Sequence, residues 1–265
     1  MEKKRADVIL FEKGLVESRE KGKRIIMEGS VFIGDSRVDK PGEKYSMDVD
    51  IKIRSNPLKY VSRGGLKLER AMAAFDLDLH ESVCMDMGAS TGGFTDCMLQ
   101  SGARKVYSVD VGYGQLDWKL RSDPRVVVHE RTNIRHMDTD TIPDRMDFIS
   151  IDVSFISLRL ILPVAFKLLK EEGALVALVK PQFEAGRDKV GKKGIVREKS
   201  THREVVDNVI AFSRDIGFYP HGLTFSPITG TTGNIEFLLL LKKEEAGMDE
   251  REIDQVIEEA HENLK

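Results

Sequence analysis

From Val83 onward, short apolar runs at 83–87, 106–110, 126–128, 148–153 and 174–179 alternate with segments of helix length. Such alternation predicts a mainly parallel sheet covered by helices, an α/β doubly wound arrangement. The end of the chain departs from this rhythm. "GFYPHGLTFSPITGTTGNIEFLLLLKK" contains two strand-like runs joined by a turn-rich loop, with no helix between them. It predicts a closing antiparallel hairpin on the Rossmann-like sheet. The acidic tail "MDEREIDQVIEEAHENLK" has helical spacing, with Ile253, Val256, Ile257 and Ala260 on one face.

The first apolar run leads into "MDMGASTGGFTDCML", Met85 to Leu99, a three-glycine loop followed by a helix-compatible run. A nucleoside-triphosphate loop needs Gly-Lys-Ser/Thr, and no lysine is present. A dinucleotide fingerprint needs G-x-G-x-x-G, whereas Gly88, Gly92 and Gly93 form G-x-x-x-G-G with Asp86 still inside the strand. A carboxylate there is poorly placed to meet a pyrophosphate. It suits a ligand with a cationic amino-acid moiety, contacted directly or through water. Gly88 permits a sharp exit from the strand, and Gly92 and Gly93, beyond Ala89 and Ser90, let the backbone approach the ligand. "VYSVDVG" ends the second run at Asp110 and Val111, with Asp110 lying 22 residues beyond Gly88. That spacing suits a carboxylate on both hydroxyls of a ribose, in either class of nucleotide ligand. "ERTNIRH" places Asn133 where an adenine contact falls, and a turn-stabilising Asn fits the same position. The loop, Asp110 and the terminal hairpin together favour S-adenosylmethionine, a sulfonium cofactor without phosphates. A dehydrogenase would differ by binding NAD.

The formal net charge of −3 argues by itself against a nucleic-acid partner, but the charge is unevenly distributed. Residues 1–70 carry 17 Lys and Arg against 12 Asp and Glu; the remainder carries 24 against 32. A basic front quarter points to an RNA-facing module. Within it, Asp7 to Lys13 has helical spacing, and Ser18 caps a second helix running to Met27 and stopped by Gly29. "SVFIG" reads as a strand, "KPGEK" as a turn and "DVDIKI" as an alternating strand. Arg5, Arg19, Lys21, Lys23, Arg24 and Arg37 make a surface for backbone phosphates; a solvated charged face is the alternative. The pattern "RADVILFEKGLVESREKGKRIIMEGSVFIG", with "SRE" opening the second helix, resembles the S-four-type RNA-binding domain, a small α+β module, over residues 5–53. That resemblance implies RNA as the partner. A linker over 54–65 follows, in which Asn56-Pro57 disfavours helix and Gly64-Gly65 makes a flexible point before a helix bearing Leu66, Leu68 and Met72. The domain expectation is therefore 1–53, a linker, and 66–265.

"YVSRGGLKLERA", "DMGASTGGFTD", "SIDVSFISL", "LVKPQFEAG" and "GNIEFLLLL" together resemble the TlyA family of rRNA 2′-O-methyltransferases, some of them described as haemolysins. The second half is also similar to FtsJ-type ribose methyltransferases. The resemblance implies a ribose 2′-hydroxyl of cytidine in ribosomal RNA as substrate. It implies a catalytic set of Lys67, Asp152, Lys180 and Glu236, with Asp152 also beside the cofactor, and an RNA contact at Arg63. The set makes chemical sense. A ribose hydroxyl is a poor nucleophile whose proton must leave as the new bond forms. A lysine has an ordinary pKa of about 10.4 and becomes a base only where burial and a neighbouring cation lower it. Strand-end salt bridging is the other reading of the same residues. "EAGRDKVGKKGIVREKS" adds Arg187, Lys189, Lys192, Lys193 and Arg197, read here as an RNA-gripping lid rather than a plain surface loop.

The two cysteines, Cys84 and Cys97, have no metal or redox spacing, and no metal is expected. No apolar run reaches the roughly 18 residues of a membrane helix, and the basic start is soon broken by acids, so a soluble cytoplasmic protein is expected. Two rival functions remain at this point: an RNA-binding factor with an inactive methyltransferase domain, and a pore-forming haemolysin.

Overall fold

The computed structural model describes residues 3–27, 29–34, 36–38, 40–53, 59–191 and 193–264. Contacts divide the chain into two compact units, Met1–Arg63 and Gly64–Lys265.

In the first unit, β1 (Lys3–Arg5) leads directly into α1 (Ala6–Glu12), followed by α2 (Arg19–Met27) and the strands β2 (Val31–Ile33), β3 (Ser36–Arg37), β4 (Lys44–Ser46) and β5 (Ile51–Ile53). β2 is the centre of an antiparallel sheet ordered β3-β2-β5, while β1 pairs with β4 separately. Ser18 Oγ accepts from the Lys21 amide at 3.1 Å and so opens α2, as its position in the sequence predicts. Ala6, Ile9, Leu10, Ile26, Val31, Val38 and Ile51 form this unit's own core. β1 and β4 carry no apolar alternation, which is why the sequence pattern does not reveal them.

The second unit begins with α3 (Gly64–Phe75) and continues through β6 (Val83–Met87), α4 (Gly93–Gln100), β7 (Lys105–Val109), α5 (Trp118–Arg121), β8 (Val126–His129) and β9 (Met146–Ile151). It is completed by α6 (Leu162–Leu168), β10 (Leu169–Val179), α7 (Pro181–Glu184), α8 (Lys199–Asp215), β11 (Tyr219–Phe225), β12 (Phe237–Lys242) and α9 (Glu250–Asn263). One seven-stranded sheet has the order β11-β12-β10-β9-β6-β7-β8. Every neighbouring pair is parallel except those made by β12, which runs antiparallel to both β10 and β11. The expected terminal hairpin is present, with its second strand inserted between the first and the rest of the sheet. Five consecutive residues of β12 are buried, so both of its faces are covered, which accounts for its unbroken run of leucines.

One expectation is corrected here. Gly64 and Gly65 do not form a flexible point ahead of the helix but constitute the first two residues of α3. The tail forms α9, which buries Ile253, Ile257 and Ala260 in the main core. Both cysteines are buried free thiols. Among the described residues, no helix is long and apolar enough to cross a membrane.

Candidate active site

The parallel strands β6, β9 and β10 end at one edge of the sheet, where α/β folds place their ligands. Asp152 directly follows β9 and Lys180 directly follows β10. β12 runs the other way, and its first residue, Phe237, pairs with Val179, the last residue of β10. Glu236, just before β12, therefore arrives beside Lys180 rather than at the far end of the sheet. Lys67 comes from the first turn of α3.

The four side chains form an alternating chain of charges. Lys67 Nζ lies 2.6 Å from Glu236 Oε2 and 3.8 Å from Asp152 Oδ2, and Lys180 Nζ lies 2.5 Å from Asp152 Oδ1. Lys180 also donates to Ser154 Oγ at 3.0 Å, and Gln182 Nε2 donates to Glu236 Oε1 at 3.3 Å. Lys67, Lys180 and Glu236 are buried, which two cations matched to two carboxylates make tolerable. Burial acts to raise the pKa of Asp152, but the charges of Lys67 and Lys180 outweigh it and hold the carboxyl below its ordinary range. Gln182 Oε1 is buried against this chain with no hydrogen-bond partner among the described residues.

The glycine loop sits at the end of β6. Gly88 has φ +95°, and a Cβ there would lie 2.4 Å from the Asp152 carbonyl oxygen, so only glycine lets β6 turn away beneath the end of β9. Two expectations for this region are corrected. Asp86 does not face a ligand. It is fully buried, its Oδ2 accepting from the Thr95 amide (2.9 Å) and hydroxyl (2.7 Å), and its Oδ1 from Ser150 Oγ at 3.2 Å. Its carboxyl pins the start of α4 to the sheet. Burial, aided by the charge of Asp152, pushes its pKa up to about 7 against the Thr95 and Ser150 hydrogen bonds. Gly92 and Gly93 are buried rather than open to a ligand: Gly92 has φ +96°, and a Cβ there would strike Leu120 and Leu116. Asn133 caps a short 3-10 turn, its side chain accepting from the Arg135 amide at 3.2 Å, and the residue is exposed.

Ser90 and Val111 are exposed and Asp110 is partly exposed, whereas Ala89 is buried. Asp110 accepts from the Ser90 amide at 2.8 Å and from the Gly112 amide at 2.7 Å, so the carboxylate is oriented by backbone and still partly exposed. Val111 is 73% exposed.

Phe155 is a feature the sequence reading did not single out. It is 90% exposed, has φ +63°, and its ring centroid lies 5.0 Å from that of Phe183. A bulky residue in the left-handed region is a strained arrangement of the kind that gathers at functional sites. Glu184 holds this loop by accepting from Ser157 Oγ (2.7 Å) and the Leu158 amide (2.8 Å). The clue in the sequence is a phenylalanine inside the serine-containing loop "DVSFIS".

The basic residues expected to hold RNA are partly committed to acids. Arg5 and Arg19 flank the buried Asp7 at 2.9 and 3.4 Å, Lys21 meets Glu17 at 3.0 Å, and Lys23 meets Glu20 at 3.6 Å. Arg24 and Lys193 are exposed, and Arg63 is partly buried. The lid reading of 184–200 is corrected in part: Lys189 is bonded to Glu204 of α8 at 2.5 Å, and the Val196 amide donates to Asn234 Oδ1 at 2.9 Å. The segment is anchored at both points. Lys192 and the side chains of Arg37 and Arg187 lie outside the described residues. Among the described residues, no cluster of His, Cys, Asp or Glu is arranged to hold a metal ion.

A family model described as FtsJ-like methyltransferase matches residues 60–243, and one described as S4 domain matches residues 4–51. A Bacillus subtilis (strain 168) protein named "Putative rRNA methyltransferase YqxC" is 55% identical, over 99% of this chain and 96% of that protein. A Mycobacterium tuberculosis (strain ATCC 25618 / H37Rv) protein named "16S/23S rRNA (cytidine-2'-O)-methyltransferase TlyA" is 39% identical, over 90% of this chain and 89% of that one. The structure described as "Putative hemolysin from Streptococcus thermophilus" matches with a TM-score of 0.78 and 50% identity, covering 99% of this chain and 97% of the other.

Proposed function

The chain belongs to the FtsJ-like methyltransferase family, in its TlyA branch with an S4 domain in front, and on that premise we propose that it methylates the ribose 2′-hydroxyl of cytidine in ribosomal RNA, using S-adenosylmethionine. The observation that carries this reading is the alternating chain Glu236, Lys67, Asp152, Lys180 at the ligand edge of the sheet.

The residues of the glycine loop and of the end of β7 fit the cofactor. Asp110 has lone pairs left for ribose hydroxyls after serving Ser90 and Gly112, and exposed Val111 offers an apolar face to an adenine. When bound, S-adenosylmethionine supplies an electrophilic methyl group on a sulfonium. Asp86 serves at one remove, by fixing the loop and α4.

Lys180 is the general base. An apolar strand delivers its Nζ to the edge of the site, where Asp152 and Ser154 fix its position. After its own proton has passed to solvent, Lys180 Nζ takes the hydroxyl proton as the oxygen attacks, so the alkoxide never develops in full. Lys67, held between Glu236 and Asp152, keeps Asp152 aimed at Lys180. Phe155, packed against Phe183 yet largely exposed, presents a ring beside the site on which the target base stacks once it has left its helix. In the front unit Arg5, Arg19, Lys21, Lys23, Arg24 and Arg63 are assigned to the RNA backbone, and in the second unit Arg187, Lys189, Lys192 and Lys193.

The test is transfer of tritium from labelled S-adenosylmethionine to isolated ribosomal subunits, followed by mapping of the labelled nucleotide. Label on a cytidine 2′-oxygen is the expected result. Label on a base, or none from a folded protein that binds the subunits, overturns the reading.

A further inference from the structure

At the ends of β7 and β8, on the same sheet edge as Lys180, two large aromatic side chains stand in solvent: Tyr113 is 68% exposed and Trp118 76%. The backbone beneath them is firmly held. Glu130 Oε1 accepts from the Gly114 amide at 2.8 Å and from the Arg121 guanidinium at 2.5 Å, and the Arg131 amide donates to the Gly112 carbonyl at 2.9 Å. Leu116 and Leu120 are buried against Gly92. The segment therefore has apolar anchors of its own, and its two largest rings are not among them. Exposed apolar surface on a rigid frame marks an interaction site.

Arg131 identifies the partner. It has φ +55°, uncommon for a side-chain-bearing residue, and its guanidinium lies 4.2 Å from the Tyr113 ring centroid. Among the described residues it has no carboxylate partner. A guanidinium stacked this way keeps its N–H donors in plane for an anion. Residues 111–135 carry five Lys and Arg against three Asp and Glu, whereas residues 71–265 as a whole carry 24 against 32. Of these five cations, Lys119, Arg121 and Arg125 are paired with Asp96, Glu130 and Asp123, which leaves Arg131 and Arg135 without a carboxylate among the described residues. β8 lies three strands from β9, about 14 Å at an inter-strand spacing of ~4.8 Å. That is about the rise of four stacked nucleotides at ~3.4 Å each.

We propose that this corner is a second RNA contact, in which an unpaired base stacks on Trp118 and Arg131 binds a neighbouring phosphate. The proposal rests on the reading that the substrate is RNA. Aromatic faces accept any base, so the contact adds affinity and reach without reading sequence.

Trp118 is the only tryptophan in the chain, so its emission reports on this corner in the unmodified full-length protein. Protein-free ribosomal RNA and a short oligocytidylate should both quench it. Heparin, a polyanion without bases, should compete for RNA without quenching, and S-adenosylmethionine alone should leave the emission unchanged. Trp118→Ala should weaken RNA binding about five- to 150-fold with an unchanged salt slope. Trp118→Phe should keep most of the affinity, and Arg131→Ala should lower the salt slope by about one. Calorimetric affinity for the cofactor should be the same in all three variants. RNA that binds without moving the emission, quenching by the cofactor alone, or wild-type RNA affinity in Trp118→Ala each overturns the proposal. A chain that binds no RNA at any salt concentration instead overturns the RNA-substrate reading, and this proposal with it.

Discussion

Lys180 and Asp110 follow β10 and β7 at one edge of the same sheet, and their substitution should separate catalysis from cofactor binding. Lys180→Ala should keep cofactor affinity while lowering single-turnover methyl transfer about 10²–10⁴-fold, the usual cost of losing a general base. Lys180→Arg should not restore it, because a guanidinium stays protonated at working pH. Near wild-type transfer by the arginine variant would show that the residue acts only by its charge. Asp110→Ala should instead weaken cofactor binding by about 1.5–3 kcal/mol, the scale for hydrogen bonds to a charged group, as read by calorimetry. Asp86 makes a different prediction. Its carboxyl is raised from 3.8 to about 7 in the fold, so the folded protein holds a proton that the unfolded chain has released between those values. Its contribution to stability is complete at low pH and is lost as pH rises through about 7. Thermal denaturation measured across that window should show the decline, and Asp86→Asn should flatten it.

Among the elements, α9 depends on α8 through a polar clasp. His202 Nδ1 and His261 Nε2 are 2.9 Å apart, Arg203 meets Asp254 at 2.5 Å, and Lys199 pairs with Glu258. His202 is buried with its ring edge-on to Phe237. Burial, and then the charge of His261, push its pKa down to about 4, against a hydrogen bond that the ring donates to the Val196 backbone carbonyl. Charging His202 is thus easier once the helices have parted. The stability it confers is present above about 6.5 and is lost as pH falls toward 4. Amide exchange in α9 should accelerate between pH 7 and 5 by more than its intrinsic pH dependence predicts, while β6 stays protected. His202→Leu should remove that difference; an unchanged profile would place the weak point elsewhere.

On the scale of the whole molecule, the two units have separate cores, one around Ile9 and Leu10 and the other around the seven-stranded sheet. Deleting residues 1–53 should therefore leave cofactor binding intact while abolishing methylation of ribosomal RNA. RNA affinity of the full chain should fall steeply with added salt, because phosphate contacts release counterions. Filter binding across a salt series checks this, and full activity in the truncated chain would show that the front unit is not needed to hold RNA.

What was legible in the sequence was whatever a local period or a local turn encodes. The apolar runs, the capped helix α2, the glycine turn at Gly88 and the amphipathic tail follow from spacing along a few residues. The set Lys67, Asp152, Lys180 and Glu236 was legible only through resemblance, because 169 positions separate Lys67 from Glu236. Only the tertiary structure explains their meeting: β12 enters antiparallel beside β10 and so presents its first residues, not its last, at the ligand edge. Orientation was likewise invisible. All five residues of β6 are buried, so no alternation reveals that Asp86 turns inward to Thr95 and Ser150. Sequence states which hydrogen-bonding groups and which rings a chain owns. Which neighbours use them, and which of them, like Phe155 and Trp118, are left in solvent, is decided by contacts between residues far apart in the chain.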